Sequence, residues 1–150
     1  MQLSGNVSHP GTYTLSSLQT GFTPVEETVS GDTYTGVPLF TFLAPSNITG
    51  QIVIAQATDG YEVVYSLAEI DPSLDGNPQD LLPYADTGTN FPGDGVARTI
   101  FPDDNSHGRW ESNLDALQVD PVPEPASLLL LSGAALPLAA TRRRKTARPA

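Results

Sequence analysis

Residues 51–72 read QIVIAQATDGYEVVYSLAEIDP, and they are the most regular stretch of the chain. Ile52, Ile54, Val63 and Tyr65 mark two β-branched or aromatic runs, separated by Thr58-Asp59-Gly60. Two such runs joined by a short glycine-containing turn predict a β-hairpin. Immediately after it, Ser66 and Glu69 stand at capping-box spacing, which predicts a short helix over SLAEID closed by Pro72. A hairpin running into a helix of about one turn sets the expectation for the whole body: short strands with brief helices, an α+β fold rich in β structure.

Working outward, the opening residues predict a short strand, then a turn at His9-Pro10-Gly11. A helix follows over 15–19 with Thr14 as its N-cap. PVEETVSG reads as a strand, and GVPLFTFLAPSN predicts a short helix between Pro38 and Pro45 with Leu39, Phe42 and Leu43 turned inward. Beyond the hairpin, DLLPYADTGTNFPGDG predicts a strand and an irregular loop, VARTIFP a further strand, and LDALQVDP the last one. Residues 1–121 thus form one domain, and the segment 122–150 is a separate tail. The 150 residues contain 14 prolines and 13 glycines, in keeping with many turns, while a hydrophobic fraction of 39% against 16% charged residues suits a folded body.

Charge is divided unevenly. Residues up to and including Glu124 carry −15, with Arg98 and Arg109 as their only lysine or arginine side chains, whereas the remainder carries +5. So acidic a body opposes binding to nucleic acid, which requires lysine and arginine to neutralise phosphates. Cysteine is absent, which excludes disulfides, thiolate metal ligands and cysteine nucleophiles. MQLSGNVSHPG has neither the basic nor the apolar region of a secretory signal, so the natural start is expected upstream of Met1.

The tail has three parts in order. Pro123-Glu124-Pro125 holds the backbone extended and accessible. ASLLLLSGAALPLAA, residues 126–140, is an apolar run expected to form a hydrophobic transmembrane helix, shorter than the roughly 20 residues that span a bilayer comfortably. Arg142, Arg143, Arg144 and Lys145 form a basic stop that stays cytoplasmic by the positive-inside rule, leaving the acidic body on the other side. The competing reading is a buried C-terminal helix with a solvated basic end; leucines all round and Pro137 within the run oppose it.

The stretch VPEPASLLLLSGAALPLAATRRRK resembles the PEP-CTERM sorting signal of Gram-negative bacteria that make exopolysaccharide. The resemblance implies export, transient anchoring in the inner membrane, and recognition by an exosortase that processes the tail near the PEP motif. It further implies a final place at the cell surface or in the extracellular matrix, with the exopolysaccharide matrix as a candidate partner.

A second resemblance concerns the body. The succession LSGNVSHPGTYTLSSL, YTGVPLFTFL, ATDGYEVVYSLAEIDP, LLPYADTG and VARTIFPDDNSHGRWESNLDALQV is similar to the molybdopterin-binding domain of the sulfite oxidase family. The family implies a β-rich mixed fold that holds a dithiolene pterin and its phosphate, with molybdenum as redox centre. Family members bind molybdenum through a cysteine, which this chain lacks, and where they carry a histidine-glycine pair before an arginine this chain reads Pro92-Gly93-Asp94-Gly95. Arg98, and Arg109 before Trp110, do match. They are the candidate anion- or cofactor-binding residues, since guanidinium forks suit oxyanions. The alternative is that each pairs with the surrounding carboxylates while Trp110 packs in the core. The expectation is a binding module with no catalytic residue and no resident cofactor; a molybdopterin oxidoreductase using another metal ligand is the rival.

Weaker candidates are few. His9 is expected to face solvent beside its turn proline. His107 is a candidate to join Asp103 and Asp104 as a metal ligand, but Asp103, Asp104 and Asn105 are consecutive where a calcium loop alternates its oxygen ligands; Asp71, Asp75 and Asn77 are better spaced but lack a terminal bidentate glutamate. Solvated turns are the expected outcome.

Overall fold

A computed structural model of the chain describes residues 1–47, 51–74, 80–87, 89–90, 95–104 and 107–122. The entire sorting motif Pro123-Glu124-Pro125, the apolar run 126–140 and the basic cluster from Arg142 to Lys145 lie outside the described residues, as do Asp75, Asn77 and Pro92 to Asp94. Among the described residues no helix is long and apolar enough to cross a membrane.

The hairpin anticipated at 51–66 forms from β5 (Gln51–Ala57) and β6 (Glu62–Ser66), paired antiparallel from Ile52↔Ser66 to Gln56↔Glu62. Its turn closes through Gly60 N to Ala57 O at 3.0 Å, and Gly60 takes φ +85°, where a side chain would be strained. The Asp59 carboxylate accepts from Tyr61 N at 3.0 Å and fixes the exit. Val53 and Ala55 carry the fully buried face of β5, while Ile52 and Ile54 lie half-buried on the other.

β5 pairs on its far side with β9 (Leu114–Pro121), where Asp115 is passed over between Ala116 and Leu114. β9 in turn pairs parallel with β1 (Gln2–Gly5), and β1 antiparallel with β2 (Gly11–Thr12). The result is a five-stranded mixed sheet in the order β2-β1-β9-β5-β6. Gly5, at φ +84°, lies so close to β9 that a Cβ would stand 2.1 Å from Val119 O.

A second, four-stranded sheet follows the order β3-β4-β7-β8, built from β3 (Val25–Val29), β4 (Asp32–Pro38), β7 (Leu81–Asp86) and β8 (Thr89–Asn90). The β3–β4 turn is only Ser30-Gly31, both at positive φ, a geometry that matches the twist of a hairpin. Pairing of β4 with β7 shifts at Thr35/Gly36, leaving Tyr84 as the extra residue opposite them.

Three short helices link the sheets. α1 (Leu15–Gly21) starts at Thr14, which forms a reciprocal capping box with Ser17. α2 (Leu39–Leu43) buries Leu39, Phe42 and Leu43 as expected and ends at Ala44 in the left-handed region. α3 (Leu67–Ile70) is capped by Ser66, whose hydroxyl accepts from Ala68 N at 3.2 Å. Side chains from the inner faces of both sheets and from all three helices join one core, among them Leu3, Leu18, Val37, Leu43, Tyr65, Leu67, Leu82 and Leu117. The mixed, sheet-rich architecture agrees with the α+β expectation.

One expected strand does not form as such. VARTIFP makes no ladder: Arg98 N donates to Pro83 O at 3.1 Å, and Ile100 and Leu81 exchange two backbone bonds at 2.9 Å. The segment docks against β7 at these points and is otherwise irregular, because the Arg98 amide meets the proline of β7, whose nitrogen has no hydrogen to return.

Candidate functional site

Arg109 is the last residue of a 3-10 turn, His107–Arg109, that follows the turn at Phe101 to Asp104. Trp110 fixes this local fold by donating its indole N–H to Phe101 O at 3.2 Å, and the His107 ring stacks on the indole at 3.8 Å and 14°. The Arg109 fork then engages Asp104 twice, Nη2 to Oδ1 at 2.8 Å and Nε to Oδ2 at 3.2 Å, while Nη1 donates to Glu69 Oε1 at 3.0 Å. Its guanidinium carbon lies 5.6 Å from the centroid of Tyr65 and 5.5 Å from that of Phe101. Those two rings are themselves stacked at 4.4 Å. Bonding to Asp104, aided by the charge of Glu69, holds the Arg109 guanidinium even further above its ordinary value, so it is a permanent cation.

Glu69 is the residue that spacing assigns to a capping box with Ser66. It serves Arg109 instead, and so joins α3 to the 101–110 segment.

Beneath the arginine lies a chain of hydroxyls. Tyr65 Oη bonds to the Arg109 carbonyl and stands 2.8 Å from Thr99 Oγ1, which accepts from Glu111 N at 2.9 Å. Tyr65 and Thr99 are almost completely buried. Burial, reinforced by the charge of Glu111, pushes the Tyr65 hydroxyl above the ordinary tyrosine range, so it stays protonated. Glu111 is 3% exposed. Its carboxyl is raised above the usual glutamate value by burial first and by the charge of Asp59 second, and its Oε2 has no hydrogen-bond partner among the described residues.

Arg98 takes a different direction. Its guanidinium hydrogen-bonds the Tyr34 hydroxyl on β4, near Asp32 and Asp86. Burial raises Tyr34 and the carboxylates add to it, while Arg98 opposes both. Tyr34 also meets Trp110 edge-on at 6.1 Å, in a small cluster with Leu81 and Ile100. The two arginines stand at the two ends of the 98–110 segment, Arg98 beside Tyr34 on β4 and Arg109 against Asp104 and Glu69. For Arg109 the pairing with carboxylates is the arrangement found, and Trp110 packs half-buried between the two clusters.

Asp103 is exposed, Asp104 is committed to Arg109, and His107 stacks on Trp110; among the described residues no group of three or more potential ligands gathers for a metal. Asp71 corrects the expectation of a solvated turn. It does shape a turn, accepting from Ser73 N at 2.8 Å, but it is only 3% exposed. His9 is exposed as expected, yet it also lines a cavity of about 420 Å³ together with Tyr13, Phe22 and Phe42.

Sequence reasoning missed two features: the Tyr65–Thr99–Glu111 chain and the Tyr13–Phe22–Phe42 cavity. The available signals were the alternation of Thr99 with Arg98 and the recurrence of aromatic residues near the chain start; neither specifies a partner. No protein-family model matches the chain, and no characterised protein matches its sequence.

Proposed function

We propose that this chain is an exported protein, delivered to the cell surface or extracellular matrix by an exosortase acting on its tail, with a body that binds and does not catalyse. The observation that carries the reading is the order Pro123-Glu124-Pro125, apolar run 126–140, Arg142-Arg143-Arg144-Lys145, with the negative charge of the chain confined to the opposite side of that run. The basic stop orients the chain, and the acidic body then lies on the far side of the membrane. Fusing residues 122–150 to an exported reporter in an exosortase-bearing Gram-negative host tests it. Replacing Pro123-Glu124-Pro125 with alanines is expected to leave the reporter unprocessed in the inner membrane. Unchanged processing and location would sink the proposal.

For the body we favour a relative of the sulfite oxidase molybdopterin-binding domain that has lost the cofactor. The ordered run of similar segments supports the kinship. The donors do not fit a phosphorylated pterin: the Arg109 fork is held by Asp104 and Glu69, Arg98 is turned to Tyr34 beside two carboxylates, and no cysteine exists to ligate molybdenum. Purified chain is expected to contain neither molybdenum nor pterin, and stoichiometric amounts of both would restore the oxidoreductase reading.

A further inference from the structure

The cavity beside α1 and α2 is chemically unlike the rest of the body. Tyr13 and Phe22 form half-buried walls around the buried ring of Phe42. Tyr13 meets Phe42 edge-on at 4.9 Å, and Phe22 is tilted against Phe42 at 5.5 Å and against Tyr13 at 6.2 Å. The volume of about 420 Å³ lies within the range of small-molecule sites. Although the first 124 residues carry −15, no aspartate, glutamate, lysine or arginine among the described residues lines it.

Its polar groups are nearly all used. Tyr13 Oη donates to His9 O at 2.9 Å, and Ser17 Oγ donates to Thr14 O at 2.8 Å while accepting from Thr14 N at 2.7 Å. Of the polar side chains that line it, only the His9 imidazole and the Thr41 hydroxyl have no hydrogen bond among the described residues. A charged ligand would lose its hydration with no counter-charge to replace it. A sugar ring, with hydroxyls all round, would leave most of them unpaired. A neutral aromatic ring with one polar substituent meets every term: its edge and face extend the tilted aromatic set, and its substituent reaches those two groups.

We propose that this cavity is a binding site for a neutral, phenol-like aromatic ligand, held by Tyr13, Phe22 and Phe42 with its polar group at His9 and Thr41. The site lies in the body and is independent of the sorting tail.

The test is a titration of the isotope-labelled full chain with 4-methylphenol, followed by amide shifts. Saturable shifts confined to the residues around the cavity are expected, and Phe22→Ala is expected to weaken them by about tenfold, in line with the loss of one aromatic contact. Thr41→Trp, on the exposed side of α2, fills the mouth without removing a core side chain and is expected to abolish binding while the circular dichroism stays unchanged. Methyl glucoside and 4-methylbenzylammonium should bind at the cavity at least tenfold more weakly, although the acidic body attracts the cation. Shifts scattered away from the cavity, unaltered binding in Thr41→Trp, or equal affinity for the sugar or the cation would each overturn the proposal.

Discussion

Tyr65 and Thr99 lie 2.8 Å apart through their hydroxyl oxygens, and the direction of the proton between them is fixed by their neighbours. The Arg109 carbonyl can only accept, so the single Tyr65 proton is committed to it. Thr99 must therefore donate to Tyr65 while accepting from Glu111 N. The chain runs one way, from the Glu111 amide through two hydroxyls to the Arg109 carbonyl, and ties β6 to the segment that carries both candidate arginines.

Tyr65→Phe breaks this chain at its centre and strands a buried carbonyl and a buried hydroxyl. The expected cost is about 1–3 kcal/mol in urea unfolding of the full chain. Thr99→Val should cost a similar amount, and the double variant less than the sum, since both act on one network. Because burial raises Tyr65 above its ordinary pKa of about 10, its contribution is complete below that pH and declines as pH rises beyond it. Tyr65→Phe should lack that alkaline decline. A full additive loss and an unchanged alkaline profile would show that the hydroxyls act separately.

Arg109→Ala removes three hydrogen bonds, but the side chain is 43% exposed and its Glu69 partner 34% exposed, so solvent screens much of their attraction. The expected loss is about 1 kcal/mol. Arg109→Lys should recover less than half of it, because an ammonium cannot span both Asp104 oxygens. In a double-mutant cycle with Asp104→Ala, coupling should shrink as salt rises toward 1 M. Coupling that is absent at low salt would mean that the fork contributes by packing on Tyr65 and Phe101 alone.

Glu111 gives a pH dependence of known sign. Its folded pKa is raised, so the native state holds the proton more tightly than the unfolded chain. Its contribution is complete below the unfolded value of about 4.3, and is lost as pH rises from there through the elevated folded value. Glu111→Gln, which cannot ionise, should remove this loss. The difference in unfolding free energy between variant and parent should then move in the variant's favour as pH increases from 4 to 7. A constant difference would mean that the buried carboxyl titrates normally.

What was legible in the sequence was local. The Thr14 cap, the Leu39-Phe42-Leu43 face of α2 and the Thr58-Asp59-Gly60 turn each depend on neighbours a few residues away, and each stands as expected. The 96–101 segment does not, because a ladder needs a donor on each strand and the partner here presents Pro83. Glu69 shows the same limit at the site: its spacing from Ser66 fits a cap, but an arginine 40 residues away offers a full charge and takes it. Arg98 and Arg109 read as a pair because both match the resembled family and because they are the sole basic side chains of the body other than its histidines. Which way each points is decided by Tyr34 on one sheet and by Tyr65 with α3 on the other side.

Two close backbone approaches within the sheets yield a graded test of them. At Gly36 a Cβ would stand 2.3 Å from Pro83 Cα and 2.4 Å from Leu82 O, both backbone atoms of the neighbouring strand, so Gly36→Ala must push β4 and β7 apart. At Gly5 the same atom meets Val119 O at 2.1 Å, and φ +84° adds backbone strain. Gly60 has a comparable φ, +85°, but nothing within 4 Å of its would-be Cβ, so Gly60→Ala isolates the conformational penalty at about 1–2 kcal/mol. Gly5→Ala should exceed it clearly, and Gly36→Ala should cost about 3 kcal/mol or more from overpacking alone. Thermal unfolding of the three variants ranks them. If Gly5→Ala and Gly60→Ala unfold at the same temperature, β1 does not pack closely against β9, and the parallel pairing inside the five-stranded sheet fails.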